Sequence, residues 1–136
     1  MSPRENAHSV LVIEDNADQL ELIRDQLGSR VRTIGARDGL DGYSLACSER
    51  PSAVVLDVAM PIVDGWTVLR KLRSNPITST MPIIVVTGLE PEAIAHEAER
   101  LGVRFVLRKP YEVEALHSAI DSALKSAATL DEPAGR

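Results

Sequence analysis

Residues 53–65 read Ala53-Val54-Val55-Leu56-Asp57-Val58-Ala59-Met60-Pro61-Ile62-Val63-Asp64-Gly65. A short apolar run bounded by turn residues reads as a strand buried on both faces. That run ends on a carboxylate, and an ionised carboxylate is costly away from water. The conflict resolves if Asp57 stands at the strand's C-terminal edge, facing the loop crevice where open parallel sheets hold their ligands. A lone Asp in this position would be read as a turn cap. Three other apolar runs of the chain also end at a chemically capable polar group.

The 136 residues are 44% hydrophobic and 26% charged, the mix of one ordinary globular domain. Aromatics make up only 3%, so the core is expected to be aliphatic. A net charge of -5 argues against a general nucleic-acid binder, which needs a basic footprint. The single cysteine, Cys47, leaves no internal disulfide and no zinc-site spacing; it is expected as a small core residue. No apolar stretch approaches membrane-spanning length, and residues 1–8 carry no apolar leader core, so a cytoplasmic protein is expected.

Outward from Asp57, strand and helix patterns alternate. Val10 to Ile13 is a strand ending at Glu14-Asp15; Asn16 offers a helix N-cap with Gln19 three residues on. Leu20, Ile23 and Leu27 follow at helical spacing up to Gly28. Val31 to Ile34 reads as a short edge strand flanked by Arg30 and Arg32. Asp38 to Glu49 reads as a helix packing through Leu40, Tyr43, Leu45 and Ala46, and Gly65 to Arg73 as another through Val68, Leu69 and Leu72. Ile83 to Val86 is a strand ending at Thr87-Gly88, then Pro91 opens a helix to about Arg100. Val103 to Leu107 is a strand ending before Lys109-Pro110, and a last helix runs from about Glu112 to Leu124. Domain boundaries follow: residues 1–8 a flexible start, 9–125 one α/β domain, 126–136 a flexible tail. Five strands alternating with helices over short connections predict a parallel sheet with helices on both faces.

In such a sheet all strand C-termini share one edge, so Glu14, Asp15, Asp57, Thr87 and Lys109 converge. Three carboxylates together raise one another's pKa, and a hard divalent cation with oxygen ligands relieves that. Mg²⁺ suits one or two carboxylates plus waters. A phosphoryl group fits between metal, ammonium and hydroxyl, because its transfer needs mainly positioning and charge neutralisation.

Taken in order, Glu14-Asp15, Asp57 with Met60-Pro61 and Asp64-Gly65, Thr87-Gly88 and Lys109-Pro110 resemble the motifs of the receiver domain of two-component response regulators, in the single-domain form typical of chemotaxis regulators. The resemblance spans about Val10 to Leu124. It implies a flavodoxin-like, doubly wound sheet of order 2-1-3-4-5 and a cis Lys109-Pro110 bond. It implies Asp57 as phosphoacceptor from a histidine kinase or histidine phosphotransfer protein. Asp15, Asp57 and the Ala59 backbone carbonyl would ligate Mg²⁺, with Glu14 reaching it through water. Thr87 and Lys109 would bind phosphoryl oxygens, and Thr87 would move inward on phosphorylation to repack the fourth helix, fifth strand and fifth helix. A downstream protein target, and a homodimer through that same face, are the implied partners, with no direct nucleic-acid contact and no membrane.

One departure concerns the switch. The position three before the lysine, Val106, is usually aromatic in the family, whereas here the aromatic is Phe105. Successive strand residues face opposite ways, so Phe105 is expected in the core and the response is expected to be weaker or differently routed. Arg100, Arg104 and Arg108 suggest a basic docking surface, with ordinary solvated charge as the alternative. Trp66 is read as packing of the third helix, Asp64 as turn chemistry, and His8, His96 and His117 as unrelated to metal binding. Two other readings stay open: a receiver fragment of a larger regulator or hybrid kinase, and a small Mg²⁺-dependent phosphohydrolase.

Overall fold

The computed structural model describes residues 8–60 and 64–131, with side chains up to Lys125. Pro61, in the loop after Asp57, lies outside the described residues. Five strands and five helices alternate: β1 (Ser9–Ile13), α1 (Ala17–Leu27), β2 (Arg32–Ala36), α2 (Gly39–Glu49), β3 (Ala53–Asp57), α3 (Gly65–Ser74), β4 (Ile83–Thr87), α4 (Pro91–Arg100), β5 (Phe105–Arg108) and α5 (Val113–Asp131). The sheet is parallel throughout, in the order β2-β1-β3-β4-β5. No helix among the described residues is long and apolar enough to cross a membrane.

Strand parity divides the core into two layers. Leu11, Ile13, Val54, Leu56, Ile83 and Val85 face α2, α3 and α4, meeting Ala46, Val68, Leu69, Leu72 and Ile94. The alternate residues Val10, Val12, Ala53, Val55, Ile84 and Val86 face α1 and α5, meeting Leu20, Ile23, Leu27, Leu116 and Ile120. Burying each such aliphatic side chain contributes about 1.5–3 kcal/mol. Three helix starts are capped as their residue types favour: Asn16, Asp38 and Asp64 accept from the amides of Gln19, Asp41 and Thr67. Gly28 closes α1 at φ 58°, the left-handed side that L side chains avoid.

Several expectations shift. β2 starts at Arg32, whose amide bonds to the His8 carbonyl, and continues through Gly35 to Ala36. A Cβ at Gly35 would stand 2.7 Å from Arg24 Nη2 and 3.1 Å from Leu20 Cδ2, so the glycine lets α1 lie close to β2. Leu40 is 64% exposed and sits on the outer side of α2, whereas Tyr43, Leu45 and Ala46 pack inward as expected, with Gly39 and Gly42 buried beside them. β5 begins two residues later than expected, at Phe105. Phe105 packs partly buried against the α1/α5 layer, while Val106 packs against the opposite one. The helix α5 continues to Asp131, past Leu124. Cys47 is half-buried at the α2–α3 contact, where the Asn75 amide reaches its Sγ at 3.4 Å.

Arg73 holds the far end of the molecule together. Its guanidinium donates to the carbonyls of Leu101 (2.7 Å), Met81 (2.7 Å), Ser79 (3.1 Å) and Gly102 (3.4 Å), tying α3 to the entry of β4 and to the α4–β5 turn. Burial lowers its pKa from the usual arginine value. Nearby, the buried Thr78 hydroxyl donates to the Leu72 carbonyl at 2.6 Å, satisfying a carbonyl near the end of α3. Thr78→Val keeps the shape and removes the donor. It is expected to cost about 1–2 kcal/mol, read as a lower urea midpoint with an unchanged slope.

Candidate functional site

Sheet register assembles the site. Pairing of Ile13 with Leu56 carries on past β1 to bring Glu14 abreast of Asp57 at the end of β3. Asp57 in turn pairs with Val86, so Thr87 lies one step further, opposite Arg108. The Lys109 amide bonds to the Thr87 carbonyl at 2.7 Å, extending that ladder by one rung, and the Lys109-Pro110 peptide is cis, as expected. Four separate strand ends thus meet at one rim.

The charged groups touch directly. Lys109 Nζ donates to Glu14 Oε1 at 2.8 Å and to Asp57 Oδ2 at 3.1 Å. Asp57 Oδ1 accepts the Ala59 amide at 2.9 Å, and Glu14 Oε2 accepts the Asn16 amide at 3.2 Å. Glu14 is 2% exposed and Asp57 7%, so both carboxylates depend on these bonds. One oxygen from each of Glu14, Asp15 and Asp57 lies within 4.8 Å of the others. Hard oxygen donors this close form a donor set suited to a hard divalent cation.

Burial pushes the Glu14 carboxyl above its ordinary range, outweighing the Lys109 hydrogen bond, the Asn16 amide and the Lys109 charge, which all draw it down. For Lys109 the balance falls the other way. Burial alone would lower its pKa, but the hydrogen bonds and charges of Glu14 and Asp57 raise it above the usual lysine value. A carboxyl whose pKa rises on folding adds stability at low pH that is lost as pH climbs through the folded value. Ionising Glu14 therefore carries a desolvation cost as pH rises towards neutral, while its charge favours the Lys109 ammonium. Glu14→Gln is expected to raise stability at pH 7 without Mg²⁺ and to lose that gain near pH 4, where the wild-type carboxyl is neutral as well. Urea unfolding at the two pH values checks this; a destabilised variant at pH 7 would show that the Lys109 pair outweighs burial.

Thr87 stands apart from the acids. Asp57 has the parity of Ala53 and Val55, while Thr87 has that of Ile83 and Val85, which pack into the opposite layer. Its hydroxyl is fully buried and accepts the Leu89 amide at 3.2 Å. Two site features carried no sequence signal: the Ala59 amide on Asp57, and Arg37, whose Nε and Nη2 both donate to the Asp15 carbonyl at 3.2 Å. Of the basic surface, Arg108 is paired with Glu90 and Arg100 with Glu97. Trp66 packs partly buried against the α2–α4 layer. His8 meets the Ser52 hydroxyl, and His117 Nε2 meets the Gln26 carbonyl at 2.7 Å.

Residues 10–121 match the model of the response regulator receiver domain. This chain belongs to that family. The receiver domain is 30% identical to protein PilH of Pseudomonas aeruginosa over 116 residues, covering 85% of this chain and 96% of PilH. It is 28% identical to the response regulator PleD of Caulobacter vibrioides over 124 residues, covering 90% of this chain but 27% of PleD. Among solved structures, a response regulator receiver domain protein from Clostridium thermocellum superposes with a TM-score of 0.81 at 27% identity, covering 90% of this chain and 98% of that one. Receiver domains are phospho-accepting signalling modules that bind Mg²⁺ in an acidic site, and Glu14, Asp15 and Asp57 form an acidic cluster in this chain.

Proposed function

We propose that Asp57 is the residue that takes the phosphoryl group, from a phosphohistidine on a histidine kinase or histidine phosphotransfer protein. The observation that carries this is the pair of opposed contacts on its carboxylate, the Ala59 amide on Oδ1 and the Lys109 ammonium on Oδ2. They fix the group's orientation at the mouth of the crevice. In the step, a carboxylate oxygen bonds to phosphorus as the N–P bond breaks; the electron pair stays on the imidazole nitrogen, which takes up a proton. Hydrolysis reverses the gain: water adds to phosphorus, the Asp57 O–P bond breaks, and inorganic phosphate leaves.

Lys109 neutralises a phosphoryl oxygen at the cost of its bond to Asp57. Thr87 still has its hydroxyl proton to donate, because its oxygen only accepts from Leu89. Asp15, Asp57 and the Ala59 carbonyl would hold Mg²⁺, with Glu14 reaching it through water. Bound there, the ion offsets charge on the carboxylates and the phosphoryl group. The phosphorylated domain then presents an altered face of α4, β5 and α5 to a downstream protein or to a second copy of itself, in the cytoplasm. Val106 is too short to act as the aromatic arm of that change.

The test is incubation with Mg²⁺ and acetyl phosphate followed by intact-mass measurement. One phosphoryl group per chain, absent when EDTA is present, supports the reading. Many turnovers of phosphate ester hydrolysis without a phosphorylated protein would sink it. Gel filtration of both states reads the dimer.

A further inference from the structure

Arg108 holds both ends of the segment that carries Thr87. It is the register partner of Thr87 across β4 and β5, and its Nη2 donates to Glu90 Oε1 at 2.6 Å. Glu90 occupies the N-cap position of α4 but its side chain makes no cap bond, reaching to β5 instead. Between these two points the chain has little packing to restrain it. A Cβ built on Gly88 meets nothing within 4 Å, and Leu89 is 41% exposed. Within the loop the Leu89 amide donates to the Thr87 hydroxyl. Arg108 also precedes Lys109, whose ammonium bridges the two buried carboxylates.

We propose that the Glu90–Arg108 ion pair is a positioning device, closing the 87–90 loop onto β5 so that the Thr87 hydroxyl and the Lys109 ammonium face the phosphoryl site together. This rests on the assignment of Asp57, Thr87 and Lys109 above. Both partners are more than half exposed, so the pair contributes little to global stability and is weakened by salt. Orienting a loop with few other restraints takes no more than that. The same exposure sets the size of the effect: a pair worth up to about 1 kcal/mol changes a rate by about threefold to fivefold.

Two readouts test it in Glu90→Gln, Arg108→Met and the swapped pair Glu90→Arg with Arg108→Glu. The first is the rate constant of Asp57 phosphorylation by acetyl phosphate with saturating Mg²⁺. Loss of loop closure slows both single variants about threefold to fivefold at low ionic strength and leaves the urea midpoint almost unchanged. The swapped pair recovers most of the rate, and added salt brings the wild type down towards the single variants. A through-space effect of charge alone would move the two single variants in opposite directions, which overturns the proposal; so would no change, or a swap that fails to rescue.

The second readout is hydrogen exchange at the Leu89 amide without any phosphodonor. Exchange is expected to quicken in both single variants and to slow again in the swap. Unaltered Leu89 exchange overturns the ion pair's role even in a protein that takes no phosphoryl group. Failure of the wild type itself to be phosphorylated instead counts against the assignment of Asp57.

Discussion

Asp57→Asn is expected to abolish phosphorylation by acetyl phosphate, so that intact mass shows no added phosphoryl group at any Mg²⁺ concentration. The amide preserves the shape of the side chain and can still accept the Ala59 N–H on its oxygen. It has no anionic oxygen with which to attack phosphorus, and it offers Lys109 a weaker partner. Fold stability should change little, because one of the crowded acids is lost along with one contact to Lys109. Loss of phosphorylation in a protein with a normal urea midpoint isolates the chemistry from the fold. A variant that still gains a phosphoryl group would move the acceptor to another residue and undo the assignment.

Gly65→Ala is expected to destabilise the protein by about 3 kcal/mol, the upper end of what overpacking costs. A Cβ at this position would stand 2.3 Å from Val58 Cα, 2.6 Å from the Asp57 carbonyl oxygen and 3.1 Å from its carbon. All three are backbone atoms, so no side chain can swing aside. The Gly65 amide also donates to the Val58 carbonyl at 3.2 Å, which pins the start of α3 against the end of β3. Moving it displaces the turn that carries the Ala59 amide, so phosphorylation should slow as well as the fold weaken. A urea midpoint within about 0.5 kcal/mol of wild type would mean the turn yields without penalty.

Much of the site was legible before any coordinates. The acid pair after one strand, Asp57 after another, then Thr87 and Lys109 stand at strand ends because apolar runs stop where polar groups must meet water. Asn16 and Asp64 were readable as local turn and cap chemistry for the same reason: their partners lie three residues away. Glu14 was read as a ligand reaching metal through water, yet in this structure it is also the nearer partner of Lys109, 95 positions along the chain. Nothing in the spacing of two such distant residues encodes that contact. Leu40 misled because α2 has several apolar residues on more than one side, and only packing decides which side is inward. Arg108 reads as part of a basic surface in the sequence, but its carboxylate partner Glu90 stands at the N-cap of α4, 18 positions earlier.

The order of strands and helices, the aliphatic core and the chemical groups available at the rim were written in the sequence alone, since hydrophobic period and turn preference act over a few residues. Which groups touch was decided only when the sheet closed. The distance from Lys109 to Glu14 depends on three successive strand pairings, and the backbone contact at Gly65 depends on how tightly α3 folds back onto β3. Such distances are set by the register and packing of the whole molecule, to which no single segment holds the key.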